Sequence, residues 1–197
     1  MVNLYKMNPA SAPDDRRDGI LAAAIGVFAR YGFKKTSVED VARAADISKQ
    51  GLYLHFASKE DIFVACLKKY LVENHAAMEL LLFREDAPLF VRLVDAFDSW
   101  VGRYIESFSD ENYDVIEASK RLSGGLMDEY RALFRVSIAK ALAASAEFKR
   151  TKNILAPKDV ADVLLRLVES WKSERLPRPE FRKKIALAVR ACVQIDG

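Results

Sequence analysis

The stretch KTSVEDVARAADISKQGLYLHFASKE, residues 35–60, constrains the fold of this chain more than any other stretch. Thr36 precedes an apolar periodic run and has Glu39 three residues later, a capping box that predicts the start of a short amphipathic helix. Asp46 tolerates the left-handed backbone that a tight turn often needs, and Ser48 is placed to cap a second helix. The stretch therefore predicts two short helices joined by a tight turn, which is a helix-turn-helix.

The second of these helices begins with polar residues suited to nucleic acid. In a helix-turn-helix, the N-terminal end of the second helix lies against the base edges in the major groove. Here that end consists of Ser48, Lys49, Gln50 and Gly51. Glutamine can make paired hydrogen bonds to adenine, and lysine can bond the O6 and N7 atoms of guanine, whereas Gly51 lets the backbone approach the duplex closely. These residues are therefore predicted to lie at the reading end.

Donors for phosphate groups follow in the sequence. Tyr53, His55 and Lys59 are predicted to contact the DNA backbone. Leu52 and Phe56, four residues apart, are predicted to face the core of the domain. An ordinary helical hairpin, with His55 as a plain surface histidine, is the alternative. The coincidence of caps, turn and donors favours the DNA-binding interpretation.

The run YGFKKTSVEDVARAADISKQGLYLHFASKEDIF, residues 31–63, resembles the N-terminal DNA-binding domain of the TetR family of bacterial transcriptional repressors. The segments LYLHF and SKED carry this resemblance most specifically. It implies that Gln50 and Gly51 lie nearest the bases. It also implies contacts to the operator, chiefly to its backbone, from Thr36, Lys49, Tyr53, His55 and Lys59.

Two positions depart from the family pattern inside this run. Asp46 stands where the family usually has a glycine in the turn, which bears on the turn geometry. Leu54 stands where the family often has a polar or aromatic residue. The second departure predicts one contact fewer to DNA.

Length and composition set the wider bounds. The chain has 197 residues, of which 51% are hydrophobic, enough for one sizeable domain or two small ones. Residues 1–70 contain 11 basic and 8 acidic side chains, so the whole formal net charge of +3 lies in this part. Basic DNA-binding domains often carry much larger surpluses. The motif, rather than the charge, therefore indicates DNA binding.

Cysteine usage and hydropathy predict a cytoplasmic protein. Cys66 and Cys192 lie in apolar helical patterns and are expected to be buried, reduced side chains rather than a disulfide. No apolar run is long enough to span a membrane, and the N-terminal residues lack the apolar core of a secretory signal.

The whole chain is predicted to be all-α, with about nine helices, because helical periodicity recurs and strand alternation does not. Residues 1–13 are expected to form a flexible arm, residues 14–60 a three-helix DNA-binding domain, and residues 61–197 a helical effector-binding and dimerisation domain. The first helix is expected to end at Gly32. Residues 59–84 lack Pro and Gly, so one helix is expected to link the two domains.

A helix after Pro88 carries large aromatic rings at helical spacing. Such a face suits the lining of an apolar pocket for a hydrophobic or aromatic ligand, and plain core packing is the alternative. The predicted ligand-binding residues are Phe97, Trp100, Tyr104, Phe108 and Tyr113. Weaker candidates for polar groups in the pocket are His75, Glu106 and Arg131.

The last two helices, after Pro157 and Pro177, each carry many apolar residues. A helix with two apolar faces needs two partners, so one face is expected to pack on the protomer and the other on a second copy. The resemblance likewise implies a four-helix bundle in a homodimer, and a monomeric core is the alternative. The predicted interface residues are Val163, Leu167, Trp171, Phe181, Ile185, Ala188 and Cys192.

The sequence lacks the patterns of an enzyme. Its two histidines form no zinc-ligand pair, and no nucleophile elbow, Gly-rich phosphate loop or Cys/His dyad is present. No catalytic residue, metal or cofactor is therefore expected. The resemblance implies a homodimeric transcriptional regulator that a small molecule releases from its operator. We expect a repressor, and an activator is the alternative. The ring-bearing face predicts that the effector is mainly hydrophobic. A helical ligand-binding or scaffold protein without DNA binding is the competing interpretation.

Overall fold

The computed structural model of the protein describes residues 12–102, 113–151, 154–171, 174 and 176–194. The side chains of residues 12–15 and of Tyr113 lie outside the described part, as does the predicted arm up to residue 11. Within the described ranges, all regular secondary structure is helical, with ten α-helices and one π-helix. The predicted all-α class is confirmed.

Four helices form the N-terminal part of the chain. Their bounds are Ala12–Lys35 for α1, Val38–Ala44 for α2, Lys49–Tyr53 for α3 and Lys59–Phe83 for α4. Helix α1 is kinked at Gly32, where the sequence predicts its end, and the φ of 78° at this residue is a conformation that favours glycine. Helix α4 continues without a break, as the absence of Pro and Gly predicts.

Six further α-helices follow. Their bounds are Leu89–Phe97 for α5, Tyr113–Leu122 for α6, Leu126–Ala144 for α7, Ala146–Arg150 for α8, Pro157–Trp171 for α9 and Arg178–Val193 for α10, and the π-helix Asp98–Gly102 directly continues α5. Proline stands at or just before the first residue of α5, α9 and α10, where its missing N–H has no helical partner to lose. None of the described helices has both the length and the apolar character needed to cross a bilayer.

The chain divides into two compact units. One comprises Met1–Lys69 with Glu111–Ser123, and the other comprises Tyr70–Asp110 with Gly124–Gly197. The sequence instead predicts a boundary after residue 60 and an uninterrupted second domain. The difference arises because α6 packs against α1 and so joins the N-terminal unit, a long-range contact that no local pattern predicts.

The core of the N-terminal unit is built on aromatic rings. Phe63 of α4 lies edge-on to Phe28 and Phe33 of α1, with centroid distances of 5.2 Å and 4.9 Å. Such edge-to-face pairs add to the stabilisation from burial alone. Leu52 and Phe56 are buried in the same core, which confirms their predicted orientation.

A buried carboxylate ties the π-helix of the C-terminal unit to α10. Asp98 accepts hydrogen bonds from Arg178 at 2.8 Å and 3.1 Å and from Arg182 at 3.1 Å. Gly102 leaves space for this carboxylate, because a Cβ atom there would lie 2.0 Å from Asp98 Oδ1. Asp95 extends the cluster by pairing with Arg182. The paired charges join α10 to α5 and to the π-helix.

This packing corrects the interface predicted on α10. Phe181, Ile185 and Ala188 are buried within the single chain, Ile185 with 0% of its surface exposed. Val189 and Val193, on the second apolar face, are buried as well. The prediction that two apolar faces require two chains was wrong for this helix, because α5, the π-helix and α9 all pack against α10 within one chain.

Candidate nucleic-acid interface

Helix α2 starts one residue later than predicted. Ser37, rather than Thr36, is the N-cap: its hydroxyl accepts the Asp40 N–H at 3.1 Å, and the Asp40 carboxylate accepts the Ser37 N–H at 2.9 Å. The capping box is therefore present with Ser37 and Asp40 in place of Thr36 and Glu39. This shift leaves Glu39 on the surface.

The turn between α2 and α3 has the predicted geometry. Asp46 has a φ of 52°, the left-handed conformation that aspartate tolerates better than most residues. The Ile47 N–H donates to the Ala42 carbonyl at 3.0 Å. Ser48 caps α3 by accepting the Gly51 N–H at 3.0 Å. Aspartate in place of the usual glycine therefore leaves the tight turn intact.

Helix α3 separates a core face from an exposed face. Leu52 is fully buried and anchors the helix. Gln50, Tyr53 and Leu54 are exposed, Tyr53 with 46% and Leu54 with 83% of its surface accessible. Leu54 is the C-cap of α3, and its right-handed helical backbone (φ −70°, ψ −20°) continues the helix by one position. Positions i, i+3 and i+4 lie side by side on a helix, so these three side chains form one surface, hereafter the reading face. His55, which follows α3, is half-buried.

The exposed Lys49 is held by two neighbours. Its ammonium pairs with the Glu39 carboxylate and lies 5.9 Å from the centroid of the Tyr53 ring. The hydrogen bond from Lys49 lowers the pKa of Glu39, and the same bond raises the pKa of Lys49. Sequence reasoning assigned Glu39 to a cap and so missed this pair, which depends on the approach of α2 to α3.

Thr36 and Lys59, both predicted to contact the DNA backbone, bond to carbonyl groups of the chain itself. Thr36 is buried, and its hydroxyl donates to the Gly32 carbonyl at 2.6 Å. The Lys59 ammonium donates to the carbonyls of Phe33 and Thr36, both at 3.0 Å, and lies 4.4 Å from the Phe33 ring centroid. Both side chains therefore brace the corner between α1 and α2.

Carboxylates of α6 bind the same corner. Asp114 accepts the backbone N–H of Lys34 at 2.7 Å, and Glu117 pairs with the Lys34 ammonium at 3.0 Å. A Cβ atom on Gly32 would lie 2.5 Å from the Asp114 carboxylate, so this approach requires glycine. In the sequence, the acidic residues at 110–117 suit either a solvated loop or a cationic effector, and neither interpretation predicts these contacts with Lys34.

Two arginines flank the motif. The Arg17 guanidinium of α1 lies 4.5 Å from the Phe56 ring centroid, a cation–π distance. Arg43 of α2 is exposed and pairs with Asp40 at 3.3 Å. Arg17 therefore packs against the Phe56 ring.

Comparison with known proteins bears directly on this geometry. Residues 20–66, which include α2, the turn and α3, match the model of the bacterial regulatory proteins of the tetR family. The N-terminal domain belongs to the TetR family. The resemblance inferred from LYLHF and SKED is thereby confirmed.

Relatives of this TetR-family domain are transcriptional regulators. The HTH-type transcriptional regulator RutR of Escherichia coli strain K12 is 39% identical over 75 residues, which cover 38% of this chain and 34% of RutR. The chain thus matches about a third of the length of this relative. The negative transcriptional regulator IcaR of the biofilm operon icaADBC in Staphylococcus aureus strain Newman is 25% identical over 167 residues, covering 79% of this chain and 81% of IcaR.

Solved structures extend the likeness in fold beyond the TetR-family domain. A putative TetR-family transcriptional regulator from Mesorhizobium loti superposes with a TM-score of 0.68 and 17% identity, covering 94% of this chain and 98% of the other. The reduced form of NemR from E. coli gives a TM-score of 0.67 and 19% identity, covering 88% and 95% of the two chains. At these identities the comparison shows the fold alone.

The predicted ligand-binding residues of the C-terminal unit are only partly described. Tyr104 and Phe108 lie outside the described residues, as does the Tyr113 side chain. Phe97 and Trp100 are buried, and the Trp100 ring lies 4.4 Å from that of Phe134 in α7.

A polar chain lies near these rings, and sequence reasoning named only one of its members, His75. The Ser137 hydroxyl donates to Glu79 at 2.7 Å and lies 3.1 Å from His75 Nε2. The His75 ring lies 5.3 Å from that of Phe134. Aromatic rings and a short polar chain therefore adjoin between α4, α7 and the π-helix.

The remaining predicted interface residues lie at or near the surface of α9 and α10. Val163 is exposed, while Leu167, Trp171 and Cys192 are half-buried. Leu187 of α10, missed by sequence reasoning, is 70% exposed. The sequence could not show that Leu187 is exposed while Ile185, two positions earlier, is buried, because this difference depends on how α10 packs.

Proposed function

We propose that this protein is a DNA-binding transcriptional regulator that represses its target by occupying an operator. The observation that carries the proposal is the reading face of α3, which presents Gln50 and Tyr53 to solvent while Leu52 anchors the helix from beneath. A helix presented in this way suits insertion into the major groove. The TetR-family domain and the regulatory relatives support the same conclusion.

The proposed regulator is a homodimer that acts in the cytoplasm. Two-fold symmetric regulators bind half-sites about 34–36 Å apart, one turn of DNA, or a multiple of it. The exposed side of α9 and α10, with Val163, Leu167 and Leu187, is the proposed dimer surface because it carries apolar side chains that the single chain leaves accessible. It replaces the buried stripe through Ile185.

The proposed effector is a small, mainly hydrophobic molecule bound in the C-terminal unit. Phe97, Trp100 and Phe134 supply apolar rings, and the chain from His75 through Ser137 to Glu79 supplies polar groups that could orient a ligand. Such an effector acts by binding more tightly to a dimer state in which the spacing of the two reading faces does not match that of the operator half-sites. It can lower operator affinity only by its differential affinity for the two states.

The proposal is tested by selecting bound duplexes from a random DNA pool. Enrichment of a symmetric sequence, bound at nanomolar to submicromolar concentration by fluorescence anisotropy, is the expected result. A Gln50→Ala, Tyr53→Ala double variant provides the control, since both side chains are exposed and the fold should survive. Selection without enrichment would favour the competing function, a helical ligand-binding or scaffold protein. No enzymatic activity enters the proposal.

Effector binding is tested separately, once the operator sequence has been identified. Aromatic and aliphatic compounds are screened for release of the fluorescent duplex. Trp100→Phe and Trp171→Phe variants then distinguish quenching near the proposed site from quenching near the dimer surface. Release without any change in the Trp100 signal would move the effector site elsewhere.

A further inference from the structure

We propose that Leu54 reads thymine, by contacting the C5-methyl group of one thymine in each operator half-site. The inference rests on the proposed function and deepens it, since it assigns a base preference to a residue outside the expected DNA contacts. The family pattern predicts that a leucine here removes a contact. The position of its side chain points instead to a contact of a different kind.

The burial pattern of α3 shows in which direction Leu54 points. Leu54 is 83% exposed, the highest value for a large apolar side chain among the described residues of the N-terminal unit. Leu52, two positions earlier, is fully buried. The two leucines therefore face opposite ways, and Leu54 is directed away from the core that anchors the helix.

The neighbours of Leu54 distinguish it from an ordinary exposed leucine. A single exposed leucine is ordinary on a protein surface. Leu54, however, lies four positions after Gln50, and such pairs adjoin on a helix. It is thus an apolar side chain on the same face as the predicted adenine reader. Lys49, the nearest cation on α3, is already paired with Glu39.

The major groove offers an apolar side chain a specific partner. Thymine alone among the four bases places a methyl group there, and apolar side chains recognise it by contact. Four helical positions span about 6 Å, and base pairs are spaced about 3.4 Å apart. The thymine read by Leu54 is therefore expected about two base-pair steps from the adenine read by Gln50.

The contact predicts a measurable loss when the methyl group is removed. Burying about one methyl group changes a binding constant about fourfold. Deoxyuridine pairs like thymine but lacks the methyl group, so it isolates this contact without altering the hydrogen bonds of the base pair. The expected change is an approximately fourfold weaker binding at one position in each half-site.

The experiment uses the full-length protein and its selected operator. Each thymine is replaced in turn by deoxyuridine, and affinity is measured by fluorescence anisotropy for the wild type, Leu54→Ala and Leu80→Ala. Leu80 is the matched control, because it is a leucine of α4 with 76% exposure in the other unit. The expected result is one methyl-sensitive position that Leu54→Ala abolishes and Leu80→Ala retains.

Each alternative outcome has a distinct meaning. A methyl-sensitive position that persists in Leu54→Ala, or a wild type indifferent to every replacement, overturns the role of Leu54 while leaving the proposed function standing. Failure of the wild type to select any operator overturns the proposed function and this inference with it. Thermal melting of Leu54→Ala at the wild-type temperature confirms that the variant is folded.

Discussion

Lys49 illustrates how one residue of a reading helix is controlled by its neighbours. It is the cation closest to the start of α3, yet it is paired with Glu39 of α2 and lies beside the Tyr53 ring. A DNA phosphate would therefore compete with Glu39 for this ammonium group. An acidic side chain beside a phosphate contact weakens binding to all sequences, which raises the relative importance of base contacts.

Glu39→Gln is expected to strengthen binding to duplexes of any sequence, because it releases Lys49 for a phosphate. The slope of log affinity against log salt concentration should steepen by about 0.9, the value for one further phosphate contact. Anisotropy titrations at several salt concentrations measure both. Glu60→Gln, which removes another exposed acid, is the control for charge alone. Equal effects of the two variants would argue against the release of Lys49.

Gln50→Ala is expected to relax base preference at one operator position. The cost is about 1–3 kcal/mol on the preferred duplex if Gln50 makes a bidentate contact to adenine. Titrations on matched and singly mismatched duplexes measure it. An unchanged ranking of the duplexes would show that Gln50 does not read a base.

Cys66 is expected to make folding stability depend on pH at the alkaline end. Burial raises the pKa of its thiol from 9.0 to about 12. The native state therefore keeps a proton that the unfolded chain releases, so this contribution is complete below about pH 9 and decreases as the pH rises toward 12. Urea unfolding at pH 8 and pH 10 should show a smaller decline in Cys66→Ala than in the wild type. An identical decline in both would exclude Cys66 as its source.

At the scale of elements, the corner between α1 and α2 gathers contacts from three parts of the chain. Gly32 provides the left-handed kink, Lys59 of α4 bonds two carbonyls, and Asp114 of α6 accepts the Lys34 N–H. The corner positions α2, against which α3 packs. Elements distant in sequence thereby hold the reading face in place.

Lys59→Met is expected to lower the free energy of unfolding by about 1–3 kcal/mol, since it removes hydrogen bonds from a charged donor. The salt dependence of DNA binding by the folded variant should stay near that of the wild type. Urea unfolding and salt titrations measure the two quantities, and Lys68→Met, at an exposed position of the same helix, is the control. A reduced salt slope with unchanged stability would instead show that Lys59 contacts a phosphate group.

At the scale of the whole molecule, the chain is organised as two compact units that share α4. The N-terminal unit contains the reading face, and α6, which packs on α1, returns to it from a later part of the sequence. The C-terminal unit is held by α7 packed along α9 and by the Asp98 ion cluster. The sequence suggests that one of the two apolar faces of α10 is free to form a dimer, but residues of both faces are buried inside this unit.

Ile185→Asp and Leu187→Asp are therefore expected to differ sharply. Ile185→Asp places an unpaired charge in the core and should unfold the C-terminal unit, whereas Leu187→Asp should leave the fold intact and weaken the dimer by several kcal/mol. Circular dichroism reports the fold, and sedimentation velocity at micromolar concentration reports the assembly. A folded Leu187→Asp dimer of wild-type affinity would place the interface elsewhere.

Local chemistry determined which parts of this protein the sequence alone predicts. The turn at Asp46, the cap at Ser48 and the kink at Gly32 depend on residues three or four positions apart, so their signals are complete within a short window. The inward orientation of Leu52 and Phe56 follows from the same periodicity. The DNA-binding motif and the all-α class were predictable for this reason.

Tertiary structure decided the partner of each charged side chain and the number of faces that each helix buries. Lys59 could bond phosphate or backbone in any isolated α4, and only the position of α1 selects the carbonyl groups of Phe33 and Thr36. The apolar stripe through Ile185 is equally consistent with a core and a dimer interface. In the folded chain this stripe lies in the core, because α5, the π-helix and α9 pack against α10. Asp98, about eighty positions earlier in the chain, joins the π-helix to α10 through Arg178 and Arg182.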